Sequence, residues 1–162
     1  MGLLIISLFA VGFIMVDMAP SESKWSIYGF HKSFGFLVLV FFFVRLSARL
    51  MTPPKIVDHS GSNLHLLLIK SSVPILYIIM AMMPLSGFIM SDAGGHAVNF
   101  FGLFDVPSLF KGMKSLGDAA SWIHHNLAPF AAGIVVIHML AAVFHHFILK
   151  DDTLTRMLPS KK

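Results

Sequence analysis

Two histidines, His124 and His138, lie fourteen residues apart in one strongly apolar segment. In an α-helix this spacing is close to four turns, so the two imidazoles share a face at levels about 21 Å apart. Because imidazole is a common metal ligand, the spacing predicts one axial ligand for each of two stacked haems. The alternative is a pair of hydrogen-bonded histidines inside a membrane bundle. Further histidines near other helix ends favour metal ligation.

The composition excludes an ordinary soluble domain. Hydrophobic residues make up 56% and charged residues 12% of the 162 positions, with a mean hydropathy of +0.80. These values predict a small integral membrane protein that forms one domain over residues 1–162. The chain has no cysteine, which excludes disulfides, thiolate metal sites, iron–sulfur clusters and covalent haem attachment. Its net charge of +4 is spread along the edges of apolar segments, so nucleic acid is not an expected partner.

Four segments are long enough to span a bilayer. They are Gly2 to about Met18, about Phe30 to Leu50, about Leu64 to Met90, and about Ile123 to Leu149. Because only helices satisfy their backbone groups in the hydrocarbon core, we expect an all-α membrane protein with a four-transmembrane-helix bundle. The first segment gives about 25 Å of helix, slightly short of a core about 30 Å thick. The long connection from Ser91 to about Ser121 is predicted to hold a short surface helix.

Lysine and arginine predict the orientation. One face of the bundle carries seven basic residues: Arg45, Arg49, Lys55, Lys150, Arg156, Lys161 and Lys162. The opposite face carries four: Lys24, Lys32, Lys111 and Lys114. Basic residues collect on the cytoplasmic side, so both termini are predicted to be cytoplasmic. His31 and His124 then lie near the outer face, and His138 lies deeper.

Several stretches of the chain match a known family. They are residues 12–17 (GFIMVD), 25–33 (WSIYGFHKS), 44–49 (VRLSAR), 83–87 (MPLSG) and 122–159. The last stretch begins at Trp122, includes His138 and ends with HHFILKDDTLTRMLP at 145–159. In these stretches the chain resembles the bacterial cytochrome b561 family of diheme membrane cytochromes. The resemblance implies four transmembrane helices in the inner membrane and two b haems, each held by two histidines. His31 would pair with His124 at the outer haem, and His138 would pair with a histidine at the start of helix one.

The histidine of helix one is absent from these 162 residues. Aligning Gly12 to the family pattern places it about three residues before Met1, so we expect either a start that lies upstream or a real loss of one haem ligand. His65 does not replace it. Taking Gly87 as level with the outer haem, His65 lies about 33 Å along helix three, some 12 Å beyond the level of His138.

Four cations lie where a haem or a quinone could use them. Arg45 and Arg49, near the end of helix two, are candidates for haem propionates or for snorkelling to lipid headgroups. Lys32 directly follows His31 and is a candidate for an outer propionate or an interfacial anchor. Lys70 is costly at membrane depth, which suggests a propionate or quinone contact.

These features predict a haem b membrane electron carrier between an outer-face donor and the membrane quinone pool. One branch of the family is understood to oxidise superoxide and reduce ubiquinone, so superoxide is a candidate donor and a superoxide:quinone oxidoreductase a candidate activity. A related alternative is the haem-bearing membrane subunit of a dehydrogenase or hydrogenase. The contrasting alternative is a haem-free four-helix structural or transport protein, in which the histidines serve packing or proton relay.

Overall fold

The computed structural model describes residues 1–52 and 63–150, and for residues 63–70 it describes the backbone alone. In chain order the elements are helix α1 (Gly2–Asp17), helix α2 (Glu22–Met51), helix α3 (Asn63–Ala93), strands β1 (Asn99–Phe100) and β2 (Phe104–Asp105), helix α4 (Lys114–Phe144) and a π-helical turn (His145–Leu149). The predicted four-helix, all-α architecture is confirmed. Four of the basic residues used to predict the orientation lie outside the described residues: Lys55, Arg156, Lys161 and Lys162.

The four helices run alternately up and down. Near the connection between α3 and α4, a Cβ on Gly117 would lie 2.9 Å from the Cβ of Ala93, so the end of α3 meets the start of α4. Phe42 of α2 meets Tyr77 of α3, with ring centres 6.3 Å apart. Each helix packs on the next one in sequence, whereas α1 meets α4 only over a narrow contact.

Helix α1 is shorter than the other three. Its 16 residues correspond to about 24 Å, whereas the hydrocarbon core is about 30 Å thick. In the described part of the chain, α2, α4 and the Ser71–Ala93 portion of α3 are long and apolar enough to cross a membrane. Three of the four predicted spanning segments are therefore helices long enough to cross a membrane. The first segment, α1, is apolar but shorter, and it completes the bundle.

Two helices begin earlier than hydropathy predicts. Helix α2 begins at Glu22, eight residues before the expected start, and Ser21 caps it by accepting a 3.2 Å hydrogen bond from the Lys24 backbone N–H. Helix α4 begins at Lys114, nine residues early, and a 2.9 Å ion pair joins Lys114 to Asp118 one turn further along. The predicted starts were wrong because hydropathy detects only the apolar part of each helix.

The connection between α3 and α4 contains a small β-hairpin rather than the predicted surface helix. Strands β1 and β2 pair antiparallel, with Asn99 opposite Asp105 and Phe100 opposite Phe104. The turn places Gly102 at φ +77°, a conformation that a residue without a Cβ adopts at no steric cost. The Gly102 N–H donates to the side-chain oxygen of Asn99 at 2.7 Å. Turn chemistry therefore decides the local structure, and the surface-helix prediction is wrong.

Two buried polar side chains fasten this connection to the bundle. The Ser33 hydroxyl of α2 donates to the Asn99 carbonyl at 2.9 Å and accepts from the Phe101 N–H at 3.2 Å. The Asp92 carboxylate at the end of α3 accepts from the N–H groups of Leu109 and Phe110 at 2.8 and 2.6 Å. Their hydrogen bonds hold the connection against the same end of the bundle.

Replacing Ser33 with alanine is expected to loosen the connection. Ser33 is 1% exposed, so the variant leaves the Phe101 N–H without its partner, at a cost of about 1–3 kcal/mol. Thermal unfolding in detergent should show a lower Tm for Ser33→Ala. The control is Ser26→Ala on the exposed face of the same helix, which should unfold like the wild type. Equal Tm values for the two variants would contradict the bridging role.

Candidate functional site

His31 of α2 and His124 of α4 face each other across the bundle interior. Their ring centres are 6.4 Å apart, and the ring planes are nearly perpendicular at 87°. Two imidazole nitrogens bound to one metal ion lie about 4 Å apart, which puts the ring centres a little over 6 Å apart. The observed separation therefore fits two axial ligands of a single iron.

A main-chain carbonyl fixes the orientation of His124. Its Nδ1 lies 3.0 Å from the carbonyl oxygen of Met83 and 3.3 Å from the Ser86 hydroxyl oxygen. A carbonyl oxygen can only accept, so Nδ1 carries the proton and donates it to Met83. The other ring nitrogen, Nε2, then keeps its lone pair, which is the tautomer that a metal ligand requires.

Gly87 makes room for this imidazole. A Cβ at Gly87 would lie 2.9 Å from Cε1 and 3.2 Å from Nδ1 of His124, closer than real Cβ contacts. Gly87 follows Met83 by one helical turn, so the missing side chain opens the path by which His124 reaches the Met83 carbonyl. The contact also places Gly87 level with His124, as was assumed when the depth of His65 was estimated from the sequence.

His31 has no equivalent tether. Its Nδ1 is buried and has no hydrogen-bond partner among the described residues. The ring packs instead against α1, where a Cβ on Gly12 would lie 3.3 Å from Cε1 of His31. Burying a polar atom without a partner is costly, so the Nδ1 of His31 lacks the support that the Nδ1 of His124 has.

A cavity of about 2190 Å³ surrounds the two histidines and is lined by all four helices. Ligand sites usually measure about 300–1,000 Å³, so there is room for a group as large as haem. The lining is mostly apolar and includes Phe9, Phe13, Val38, Leu76 and Met80. An apolar wall with few polar groups suits a flat, largely hydrophobic cofactor.

The donor set matches haem better than a bare metal ion. The described part of the chain contains no cluster of three or more histidine, cysteine or carboxylate side chains that could hold a metal. A porphyrin supplies four nitrogens of its own, so a haem iron needs only axial ligands from the protein. The pair formed by His31 and His124 meets that need.

The other predicted site residues are distributed unevenly. His138, Lys32 and Arg45 line the same cavity, with His138 about 21 Å along α4 from His124. Arg49 is exposed and is not part of the cavity lining. The side chain of Lys70 lies outside the described residues.

Sequence reasoning missed the residues that support His124. Met83 contributes a main-chain atom, which no sequence pattern reveals, and Ser86 is one hydroxyl among many. The sequence did contain one indication of this support, the MPLSG stretch at 83–87. Its proline removes one backbone hydrogen bond of the helix, and its glycine follows Met83 by one turn.

Comparison with known proteins identifies the family of the chain. Residues 1–160 match the family model described as prokaryotic cytochrome b561. Cytochrome b561 homolog 2 of Escherichia coli is 32% identical over 158 residues, which cover 97% of this chain and 84% of the relative. The probable superoxide oxidase CybB of Yersinia pestis is 29% identical over 132 residues, 82% of this chain and 74% of the relative. The resemblance inferred from sequence is confirmed: the chain belongs to the prokaryotic cytochrome b561 family of haem-binding membrane electron carriers.

Proposed function

We propose that the chain carries electrons from a donor at its outer face to a membrane quinone through haem b held by His31 and His124. The observation that carries the proposal is the facing pair of imidazoles, of which one is held in the ligand tautomer by the Met83 carbonyl. The cavity around the pair has the size and apolar lining that haem needs.

Haem, when bound, gains and loses single electrons. With His31 and His124 both bound to it, a haem would have no free iron position, which would suit outer-sphere electron transfer and disfavour oxygen binding. The chain itself supplies the ligands, their orientation and an apolar surrounding that excludes water. These are the protein's means of setting the potential.

Cations near the cavity are proposed to bind the acidic groups of the cofactor. Lys32 directly follows His31, is half-buried and lines the cavity, so we assign it to an outer propionate. Arg45 lines the cavity thirteen residues further along α2, about 20 Å away, and would serve a deeper propionate. Arg49 and Lys70 remain predictions from sequence, as propionate, headgroup or quinone contacts.

Superoxide is the proposed donor. The relative from Yersinia pestis is named a probable superoxide oxidase. Of the four lysines predicted at the outer face, Lys32 directly follows His31 and lines the cavity, so it would add a positive charge beside the site. Two superoxide anions would each lose one electron to give O₂. Quinone would take both electrons and two protons to become quinol.

His138 is proposed as a ligand of a second, inner haem. It lines the same cavity one level deeper than His124. Gly12 packs on His31 at the outer level, and fourteen residues separate Gly12 from the position three before Met1. The same interval separates His124 from His138. A histidine at that upstream position would therefore lie level with His138.

The double variant His31→Ala/His124→Ala should lose the outer haem, because both proposed axial ligands are gone. The measurement is haem per chain by pyridine haemochrome, with thermal unfolding to show that the bundle remains folded. His138→Ala is the matched control and should keep the outer haem. A double variant with the haem content of the wild type would refute the assignment of this pair.

Replacing Lys32 with glutamine should slow reduction of the haem by superoxide. Loss of a charge beside the site weakens electrostatic attraction of the anion, by about threefold or more at low salt. Stopped-flow absorbance at several ionic strengths gives the rate, and the deficit should shrink as salt screens the charge. Lys150→Gln at the opposite end of α4 removes the same charge and should react like the wild type. Equal rates for all three proteins would count against superoxide steering by Lys32.

Adding a histidine three residues before Met1 should complete the inner site. A chain extended by three residues that begin with histidine should bind about two haems, compared with about one for the 162-residue chain. The control extension carries alanine in place of that histidine and should bind about one. Two haems in every form would mean that another residue of the chain completes the inner site.

A further inference from the structure

The two facing histidines are supported very differently. His124 donates from Nδ1 to the Met83 carbonyl at 3.0 Å and is held from α3. His31 has a buried Nδ1 with no partner among the described residues, and it leans on Gly12 of α1, the shortest helix. The pair is therefore symmetric in position but not in its surroundings.

Hydrogen bonding from the outer nitrogen of a ligating histidine has two effects. It fixes the ring orientation, and it raises the basicity of the nitrogen that binds the metal. Of the pair formed by His31 and His124, only His124 has this support among the described residues. A histidine that lacks it can rotate at lower cost and binds the iron less tightly.

We propose that the two ligands are unequal, so that His124 anchors the haem whereas a small neutral ligand can displace His31. The inference rests on the proposed assignment of this pair as axial ligands. The exchange breaks the bond from iron to His31 and forms one bond from iron to the incoming molecule, and no electron is transferred. The α2 side of the haem is then a binding site for a small, neutral, π-accepting ligand such as carbon monoxide.

Ser86 is the positioning residue for the anchor. It is 5% exposed and donates to the carbonyls of Met82 and Met83 at 2.7 and 3.0 Å. It thereby holds the turn that accepts the bond from His124. Gly87 supplies the space next to it, since any Cβ there would overlap the imidazole.

The test compares single variants in a His138→Ala background, so that only the outer site is counted. His31→Ala should retain about one haem per chain, and the dithionite-reduced His138→Ala protein, which keeps His31, should bind carbon monoxide in place of that histidine. His124→Ala should retain about tenfold less haem. The readouts are haem per chain and the carbon monoxide difference spectrum. Equal haem loss in the two variants, or greater loss in His31→Ala, would overturn the proposal.

Two further variants keep both histidines and guard against a folding defect in the alanine variants. Ser86→Ala and Gly87→Ala should release haem to a soluble haem acceptor about 10- to 100-fold more readily than the wild type. Their controls, Ser47→Ala on α2 and Gly133→Ala on α4, change exposed positions, and nothing lies within 4 Å of a Cβ at Gly133. Wild-type release rates in both test variants would contradict the anchor. Haem retained by the double variant His31→Ala/His124→Ala would instead refute the ligand assignment itself.

Discussion

The hydrogen bond between the His124 imidazole and the Met83 carbonyl is the contact on which the site depends. It requires α3 and α4 to lie close together and antiparallel, a geometry set by the small residues Ala93 and Gly117 where the two helices meet. It also requires Gly87, because a side chain there would separate the ring from the carbonyl. Small residues at Gly87, Ala93 and Gly117 therefore account both for the close packing of α3 on α4 and for the orientation of His124, one of the two proposed ligands.

The membrane explains why the rest of the described chain is almost entirely helical. Backbone groups cannot stay unpaired in hydrocarbon, so the apolar segments become helices. At the end where α3 meets α4 the chain needs a connection that is not helical, and its backbone must be paired as well. Ser33 and Asp92, both buried, supply hydrogen bonds to that connection. The connection is thus held by side chains of the helices whose ends it meets.

Helix number, helix type and the shared face of His124 and His138 follow from sequence because they depend on hydropathy and on the helical repeat. The helix starts do not, since Glu22 and Lys114 lie in polar first turns outside the apolar windows. The hairpin was missed because the turn at Gly102 outweighs a partly amphipathic pattern. The support of His124 was missed because it comes from a main-chain oxygen, whose position depends on how α3 packs on α4.

Polar groups in the cavity recur at similar intervals on two helices. On α4, His124 and His138 are fourteen residues apart, and on α2 the cations Lys32 and Arg45 are thirteen apart. Both intervals correspond to about 20 Å, and all four side chains line the same mostly apolar cavity. Polar groups at membrane depth are costly unless they bind something, and the proposed haem would give His124, His138 and Lys32 a common reason to line this cavity.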